Sequence, residues 1–361
     1  HTRCSRDWSS DVCSSDLSFL VYAEYQPSIA FEKYIKTIRV NADGTSETIT
    51  EGIDRIETDK GVNTFSQSDL SYKKGMQKLE ILDAYTITPK GKKIKVTKQN
   101  IRERDDSSDH GADIFTDTRH KIIIYPEVYV GSKLYSKIKE TDFKTKFTGH
   151  FIFSEFSIPY FKYDYNEINF IVDNQIKLNF ANKGFEGGLV KETKTHKFYK
   201  YTYKQTTATP SEPAMVSLYD TSNYLIASSF NNYAELGEAY KKLAHPKAKP
   251  TAFIQGLADA VIANNGGGDK RAEAKALYEW IVNNIRYVAV YVNNGGFEPH
   301  TAESIVKNKY GDCKDHAVLY EALLAARGIK SSPALINLGE EIGKSTRLNS
   351  SHGYISYAVF C

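Results

Sequence analysis

The sequence predicts a two-part α+β protein, with a β-sandwich-like N-terminal part over residues 24–228 and a separate α+β part over residues 231–344. Before residue 228, short runs rich in Tyr, Ile, Val and Thr are separated by turn residues, which is typical of strands in a two-layer sheet. From residue 231 onward, apolar residues recur at the spacing of amphipathic helices. This change of period places the expected domain boundary near residue 230.

The N-terminal strands follow from alternating patterns that end at turn residues. The run Tyr34–Val40 ends at Asn41-Ala42-Asp43-Gly44, and the run over residues 79–87 ends at Pro89-Lys90-Gly91. Asn, Asp, Gly and Pro each favour turn conformations, so these segments mark strand ends. We expect strands over residues 34–40, 79–87, 121–125, 134–138, 168–172 and 198–203.

The C-terminal part predicts helices at 233–243 and 252–263, then a third helix capped by Asp269. One face of this third helix is expected to be formed by Ala274, Leu277, Tyr278, Ile281 and Ile285. After it we expect a strand over 287–292, a helix over 302–309 capped by Thr301, a helix that starts at Cys313, and a strand over 334–338.

Both ends of the chain differ from the sequence between them. Residues 1–17, HTRCSRDWSSDVCSSDL, and residues 345–361, within KSTRLNSSHGYISYAVFC, resemble translated read-through of sequencing adapters. We therefore expect two non-native tails and exclude them from the fold prediction. Residues 18–23 are typical of the end of a signal peptide, with small residues before a cleavage site after Ala23. This predicts a periplasmic or secreted protein.

Composition excludes several classes of protein. The formal net charge is +3, which is near neutral for this length, so we expect no nucleic-acid partner. Three of the four cysteines, Cys4, Cys13 and Cys361, lie in the predicted tails, so residues 18–344 cannot form a disulfide framework. No stretch approaches the roughly 20 apolar residues that a membrane-spanning helix needs.

Cys313 is the most informative residue. It lies where the turn Gly311-Asp312 precedes a helical apolar stripe that ends at Gly328. A thiol at a helix N-terminus faces the positive end of the helix dipole, which stabilises the reactive thiolate. The alternative is a buried structural cysteine, which is common for free Cys. The turn favours the nucleophile, and Cys313 is the predicted catalytic residue.

We expect no cofactor and no metal. The acidic run Asp105, Asp106, Asp109, His110 and Asp113 carries oxygen ligands of the kind that calcium prefers. It lacks the ligand spacing of an EF-hand, so a solvated loop is the favoured interpretation.

Several segments resemble two known families. Residues 279–287 (EWIVNNIRY), 297–300 (FEPH), 311–315 (GDCKD) and 322–329 (ALLAARGI) resemble, in this order, the active-site region of transglutaminase-like domains. Residues 40–45 (VNADGT), 82–91 (LDAYTITPKG) and 125–131 (YPEVYVG) resemble the DUF3857 domain, which precedes transglutaminase-like domains in exported bacterial proteins. The resemblance covers about residues 25 to 338 and implies a papain-like fold.

This resemblance implies a cysteine nucleophile that attacks an amide or peptide carbonyl and forms a thioester, resolved by water or an amine. It also implies a histidine and an aspartate downstream of Leu338. The predicted tail begins near Ser345, so we expect these partners to be lost and this copy to be inactive. His352 lies in the tail and is interpreted as a decoy, and His316 as a capping or solvated residue.

Two further site residues have open alternatives. His300 either lines the site or belongs to an ordinary loop. A side chain near Tyr287 is a candidate second oxyanion donor beside the backbone N–H of Cys313.

Two functions remain open from the sequence. The first is an exported enzyme that uses Cys313 for amide hydrolysis or acyl transfer on a protein or peptide substrate. The alternative is a non-catalytic binding or envelope scaffold module built on the same folds. The sequence predicts neither the substrate nor the oligomeric state.

Overall fold

The computed structural model describes residues 25–106, 114–211, 221–265, 267–337 and 355–360. The predicted tail over residues 1–17, the predicted signal-peptide remnant over 18–23, and residues 345–354 with His352 lie outside the described residues. So do Asp109, His110 and Asp113 of the acidic run, and Leu338 at the end of the last predicted strand.

The described residues form strands in both halves of the chain. In chain order these are β1 (Ile29–Val40), β2 (Ser46–Ile56), β3 (Gln67–Lys73), β4 (Gln77–Ile87), β5 (Lys93–Lys95), β6 (Ile101–Asp105), β7 (Ile114–Thr116), β8 (Thr118–Ile124), β9 (Lys133–Asp142), β10 (Ile152–Ser157), β11 (Lys162–Asp173), β12 (Asn179–Lys183), β13 (Glu186–Glu192), β14 (His196–Gln205), β15 (Asn223–Ser228), β16 (Arg286–Tyr287), β17 (Ala289–Tyr291), β18 (Tyr310–Gly311), β19 (Ser332–Asn337) and β20 (Ile355–Phe360).

The helices of the described residues lie mostly in the C-terminal half, as predicted. They are α1 (Asp59–Phe65), α2 (Tyr233–Ala244), α3 (Ala252–Asn264), α4 (Lys270–Asn284), α5 (Ala302–Asn308) and α6 (Cys313–Ala326), with short 3-10 turns at Lys98–Asn100 and His245–Lys247. Among the described residues, no helix combines the length and apolar character needed to cross a membrane.

The N-terminal half is a β-sandwich, which confirms the predicted fold class. Its large sheet has the strand order β13-β14-β11-β1-β2-β9-β4-β5, and only the β1–β11 pair within it is parallel. Two smaller sheets, β10-β15-β12 and β3-β8-β6, pack on the large sheet. One apolar core includes Ile38, Ile168 and Leu225, and the other includes Leu134 and Ile123.

The C-terminal half packs around α6. Four side chains of this helix, Val318, Leu319, Ala322 and Leu323, are fully buried. A helix that is apolar on most of its surface belongs at the centre of a core. α3, α4 and α5 pack against it, and α6 is thereby held on several sides with its first residue at the edge of the core.

Two local predictions for this half need correction. Tyr278 was expected on the buried face of α4, but it is 55% exposed, because Leu277 and Ile281 define the buried stripe. The single strand expected over 287–292 is two short strands, β16 and β17. They are separate because each pairs with a different partner: β16 with β18, and β17 with β7.

Candidate active site

Cys313 is the first residue of α6, and the structure shows why the helix starts there. The side chain of Asp312 accepts hydrogen bonds from the backbone N–H groups of Lys314 and Asp315. The Asp315 carboxylate in turn accepts from the backbone N–H of Asp312 at 3.2 Å. This reciprocal capping box fixes the first turn of the helix. The thiol of Cys313 is partly exposed at the positive end of the helix dipole.

Tyr287 is brought to the thiol by backbone pairing. β16 lies parallel to β18, with Tyr287 opposite Gly311, and the N–H of Val288 donates to the Gly311 carbonyl at 2.9 Å. Two residues after Gly311, the thiol of Cys313 is hydrogen-bonded to the Tyr287 side chain. Partial burial of the phenol, followed by the negative charge of the thiolate and this hydrogen bond, raises the pKa of Tyr287 far above its usual range. The phenol therefore keeps its proton and can donate it in a hydrogen bond.

A buried ion pair lies directly beneath the start of the helix. The side chain of Lys314 is 1% exposed and contacts Asp312, which is fully buried, in a salt bridge. Burial, with the nearby Asp315 charge, raises the pKa of Asp312 above its usual value even though Lys314 opposes the shift. The ammonium of Lys314 also lies 5.8 Å from the ring centre of Tyr291. These contacts hold Asp312, and with it the N-cap of α6, in one position.

His300 contacts α6 through Asp315. Its Nδ1 lies 3.0 Å from Oδ2 of Asp315, and its backbone N–H donates to Oδ1 at 2.8 Å. Residues two apart on a helix are separated by about 200° around the axis, so Asp315 and Cys313 point in nearly opposite directions. His300 also lines a cleft of about 760 Å³ that includes Asn293 and Lys146. The residues that line this cleft do not include Cys313.

The hydrogen bonds of His300 shift the pKa of both partners. The bond to Asp315 raises the pKa of His300 above its usual 6.5. Burial alone would raise the pKa of Asp315, but the hydrogen bonds from His300 and the charge of Lys314 outweigh it, and this pKa lies below 3.8. The pair therefore favours an imidazolium next to a carboxylate.

His316 lies on the thiol side of α6 but is engaged with the backbone. Its Nδ1 is 2.8 Å from the carbonyl oxygen of Asp312, and its Nε2 is 3.4 Å from that of Ile285. Its ring lies 5.9 Å from the Tyr287 ring. A neutral imidazole carries one N–H, and the shorter contact is where it donates. These contacts favour the predicted capping role over that of a catalytic base.

The described part of the acidic run has partners other than a metal. Asp105 forms a salt bridge with Arg119 at 2.9 Å, and Asp106 lies 3.7 Å from Nε2 of His120. Within the described residues, no group of three or more His, Cys, Asp or Glu side chains is arranged to hold a metal ion.

Sequence reasoning named Cys313 and the Tyr287 segment but missed both ion pairs around them. Asp312 and Asp315 are three positions apart, which is the spacing of a capping box and was a usable signal. The salt bridge of Lys314 had no such signal, because a lysine in the first turn of a helix is ordinarily solvated.

Two family models match the chain in succession. Residues 42–210 match DUF3857, a domain of unknown function with a solved structure, and residues 256–342 match the transglutaminase-like superfamily. No curated protein matches the chain.

Solved structures add a likeness of fold. A "putative protease" from Parabacteroides distasonis ATCC 8503 superimposes with a TM-score of 0.73 at 16% identity, over 92% of this chain and 65% of its own. This chain thus spans about 65% of the length of that protein, and at this identity the likeness shows the fold alone. The CBM3a-L domain of a Clostridium thermocellum scaffoldin aligns with 32% of this chain and 69% of its own at 14% identity, and its TM-score of 0.21 carries no weight.

Proposed function

We propose that this chain, a DUF3857 domain followed by a transglutaminase-like domain, acts through Cys313 as a nucleophile on amide or peptide carbonyls. The observation that carries the proposal is the position of the thiol at the first residue of α6, in hydrogen-bond contact with Tyr287. A helix N-terminus and a neutral donor both stabilise a thiolate, and the thiolate is the nucleophilic form of cysteine.

The reaction proceeds in two steps. The thiolate adds to the carbonyl carbon, the carbon–nitrogen bond breaks, and the amine leaves with a proton, which gives a thioester on Cys313. Water or a second amine then attacks the thioester and releases an acid or a new amide. The backbone N–H of Cys313 and the hydroxyl of Tyr287 are the proposed donors to the oxyanion that forms in each step.

A general base and its orienting acid complete this chemistry. The imidazole of His300 contacts the Asp315 carboxylate, and the imidazole of His316 contacts the carbonyl oxygen of Asp312. Both imidazoles therefore have structural partners. We therefore place the base and acid downstream of residue 338, as the family resemblance implies. The substrate class is a protein or peptide, and we propose that the protein is exported, on the strength of residues 18–23.

The test uses two assays on the parent protein with its native sequence downstream of residue 338: hydrolysis of fluorescently labelled casein, and incorporation of a fluorescent primary amine into casein. Cys313→Ala should abolish whichever activity the wild-type protein shows, with an unchanged circular dichroism spectrum. A Cys313→Ala variant that retains the wild-type rate would refute the nucleophile. The chain with its present tail is the second arm, and it should show almost no turnover, because the base is placed outside that tail. Turnover by this chain that His352→Ala abolishes would instead identify His352 as the base.

A further inference from the structure

The β-rich half of the chain contacts the segment that carries Tyr287. β17 begins two residues after Tyr287 and pairs in parallel with β7, so that Ala289 lies opposite residue 114 and Tyr291 opposite Thr116. The first half of the segment 286–291 pairs with β18, which leads into Cys313. One continuous stretch of six residues is therefore hydrogen-bonded to the catalytic helix start at one end and to the β-rich half at the other.

The turn between β3 and β4 docks on the loop that follows this segment. The N–H of Gly75 donates to Oδ2 of Asp117 at 3.0 Å. A Cβ atom at Gly75 would lie 1.8 Å from Oδ1 of Asn293 and 2.7 Å from Oδ2 of Asp117. Asn293 has a φ of +52°, which holds its loop in the left-handed region. A Cβ atom at Gly75 would therefore force the side chains of Asn293 and Asp117 out of their present contact with the turn.

Further contacts support the same docking. Nδ2 of Asn294 donates to the carbonyl of Lys146 at 3.0 Å. Phe147, which follows β9, is 2% exposed and packs at 5.6 Å and 5.5 Å, between ring centres, on Phe230 and Phe297 of the helical core. The two halves thus share buried aromatic surface next to the loop. Free rotation of one half against the other would break all of these contacts together.

We infer that the β-rich half is a positioning element for the active site. Through β7 and the Gly75 turn it holds residues 286–293 so that the hydroxyl of Tyr287 stays against the thiol of Cys313. Gly75 is a positioning residue in this arrangement, since it touches neither the thiol nor any reacting atom. The inference rests on the proposed role of Cys313, but it makes a claim about thiol reactivity that is measurable without a substrate.

The test is the pH dependence of Cys313 alkylation by iodoacetamide, followed by mass spectrometry of the peptide that contains Cys313, so that Cys4, Cys13 and Cys361 do not interfere. Gly75→Ala should raise the pH midpoint of alkylation. Gly237→Ala is the matched control, because Gly237 lies in α2 with no atom within 4 Å of an added Cβ. This control should leave the midpoint unchanged.

Two further variants distinguish positioning from general destabilisation. Asn293→Gly removes the nearer of the two side-chain oxygens that the new Cβ meets and suits the positive φ at that position, so the pair Gly75→Ala with Asn293→Gly should restore the wild-type midpoint. Gly75→Ala combined with Tyr287→Phe should shift the midpoint no further than Tyr287→Phe alone, because both act through one contact.

Additive shifts, or a Gly75→Ala midpoint equal to that of wild type, would overturn the inference. If Gly75→Ala alone does not fold, the double variant with Asn293→Gly decides: a folded protein with the wild-type midpoint supports the docking contact, and an unfolded one refutes it. Failure of the proposed function can be told apart from failure of this inference, because the Cys313→Ala variant would then retain casein turnover.

Discussion

Removal of the Tyr287 hydroxyl should make the thiolate of Cys313 harder to form. Tyr287→Phe keeps the ring and its packing but deletes the group that is hydrogen-bonded to the thiol. The thiolate then loses one donor, while the donors and dipole of the helix N-terminus remain. The expected result is a higher pH midpoint for alkylation of Cys313.

The magnitude follows from the strength of the bond and its exposure. A hydrogen bond to a charged group contributes about 1.5–3 kcal/mol when it is shielded from water. Tyr287 is 59% exposed, so water replaces part of the lost bond. We take about 1 kcal/mol for an exposed interaction of this kind. One pH unit corresponds to about 1.4 kcal/mol, so the midpoint should rise by about 0.7 unit.

The assay is the alkylation rate of Cys313 by iodoacetamide between about pH 5 and pH 10, a range that brackets the ordinary thiol value of about 8.5. Tyr278→Phe is the matched control, because Tyr278 is similarly exposed at 55% and packs on Tyr320 at 6.0 Å between ring centres. It should leave the midpoint unchanged. An unchanged or lower midpoint in Tyr287→Phe would show that the hydroxyl does not stabilise the thiolate, and would remove Tyr287 from the site.

Two other predictions concern stability and export. The raised pKa of His300 stabilises the folded protein below about pH 6.5, and this stability is lost as the pH rises through the pKa of His300 in the folded state. The lowered pKa of Asp315 stabilises the folded protein above about pH 3.8, and this stability is lost as the pH falls through the pKa of Asp315 in the folded state. His300→Asn should therefore lower the thermal midpoint of unfolding more near pH 5 than near pH 9, and an equal loss at both would contradict this linkage. For export, the parent protein recovered from its native cell envelope should begin at Glu24 by mass spectrometry, and an uncleaved cytoplasmic chain would rule out the signal peptide.

The family resemblance and the fold class were both predictable, and both are confirmed. Strands such as β1 and β11 alternate in the sequence because one face of each is buried in the sandwich. The helix caps Asp269 and Thr301 were also predictable, because the side chain of a cap bonds to a backbone group only three positions away. The start of α6 at Cys313 was predictable in the same way, from residues close to it in the sequence.

Tyr278 shows where local patterns fail. Its spacing from Ala274 and Ile281 suits the apolar face of α4, but helical spacing alone leaves the edges of a face undefined. Packing against α6 decides that Leu277 and Ile281 are buried and that Tyr278 is not.

The sequence by itself determined the order of the two domain types, most of the strands and helices, and the thiol at a helix start, because each depends on residues within one turn or one strand. Only the tertiary structure decided which groups surround that thiol. Tyr287 reaches Cys313 through parallel pairing with a strand more than twenty residues away, and Gly75 reaches Asn293 across more than two hundred. No periodic pattern in the sequence predicts such contacts, because their free energy comes from surfaces that meet only after the chain has folded.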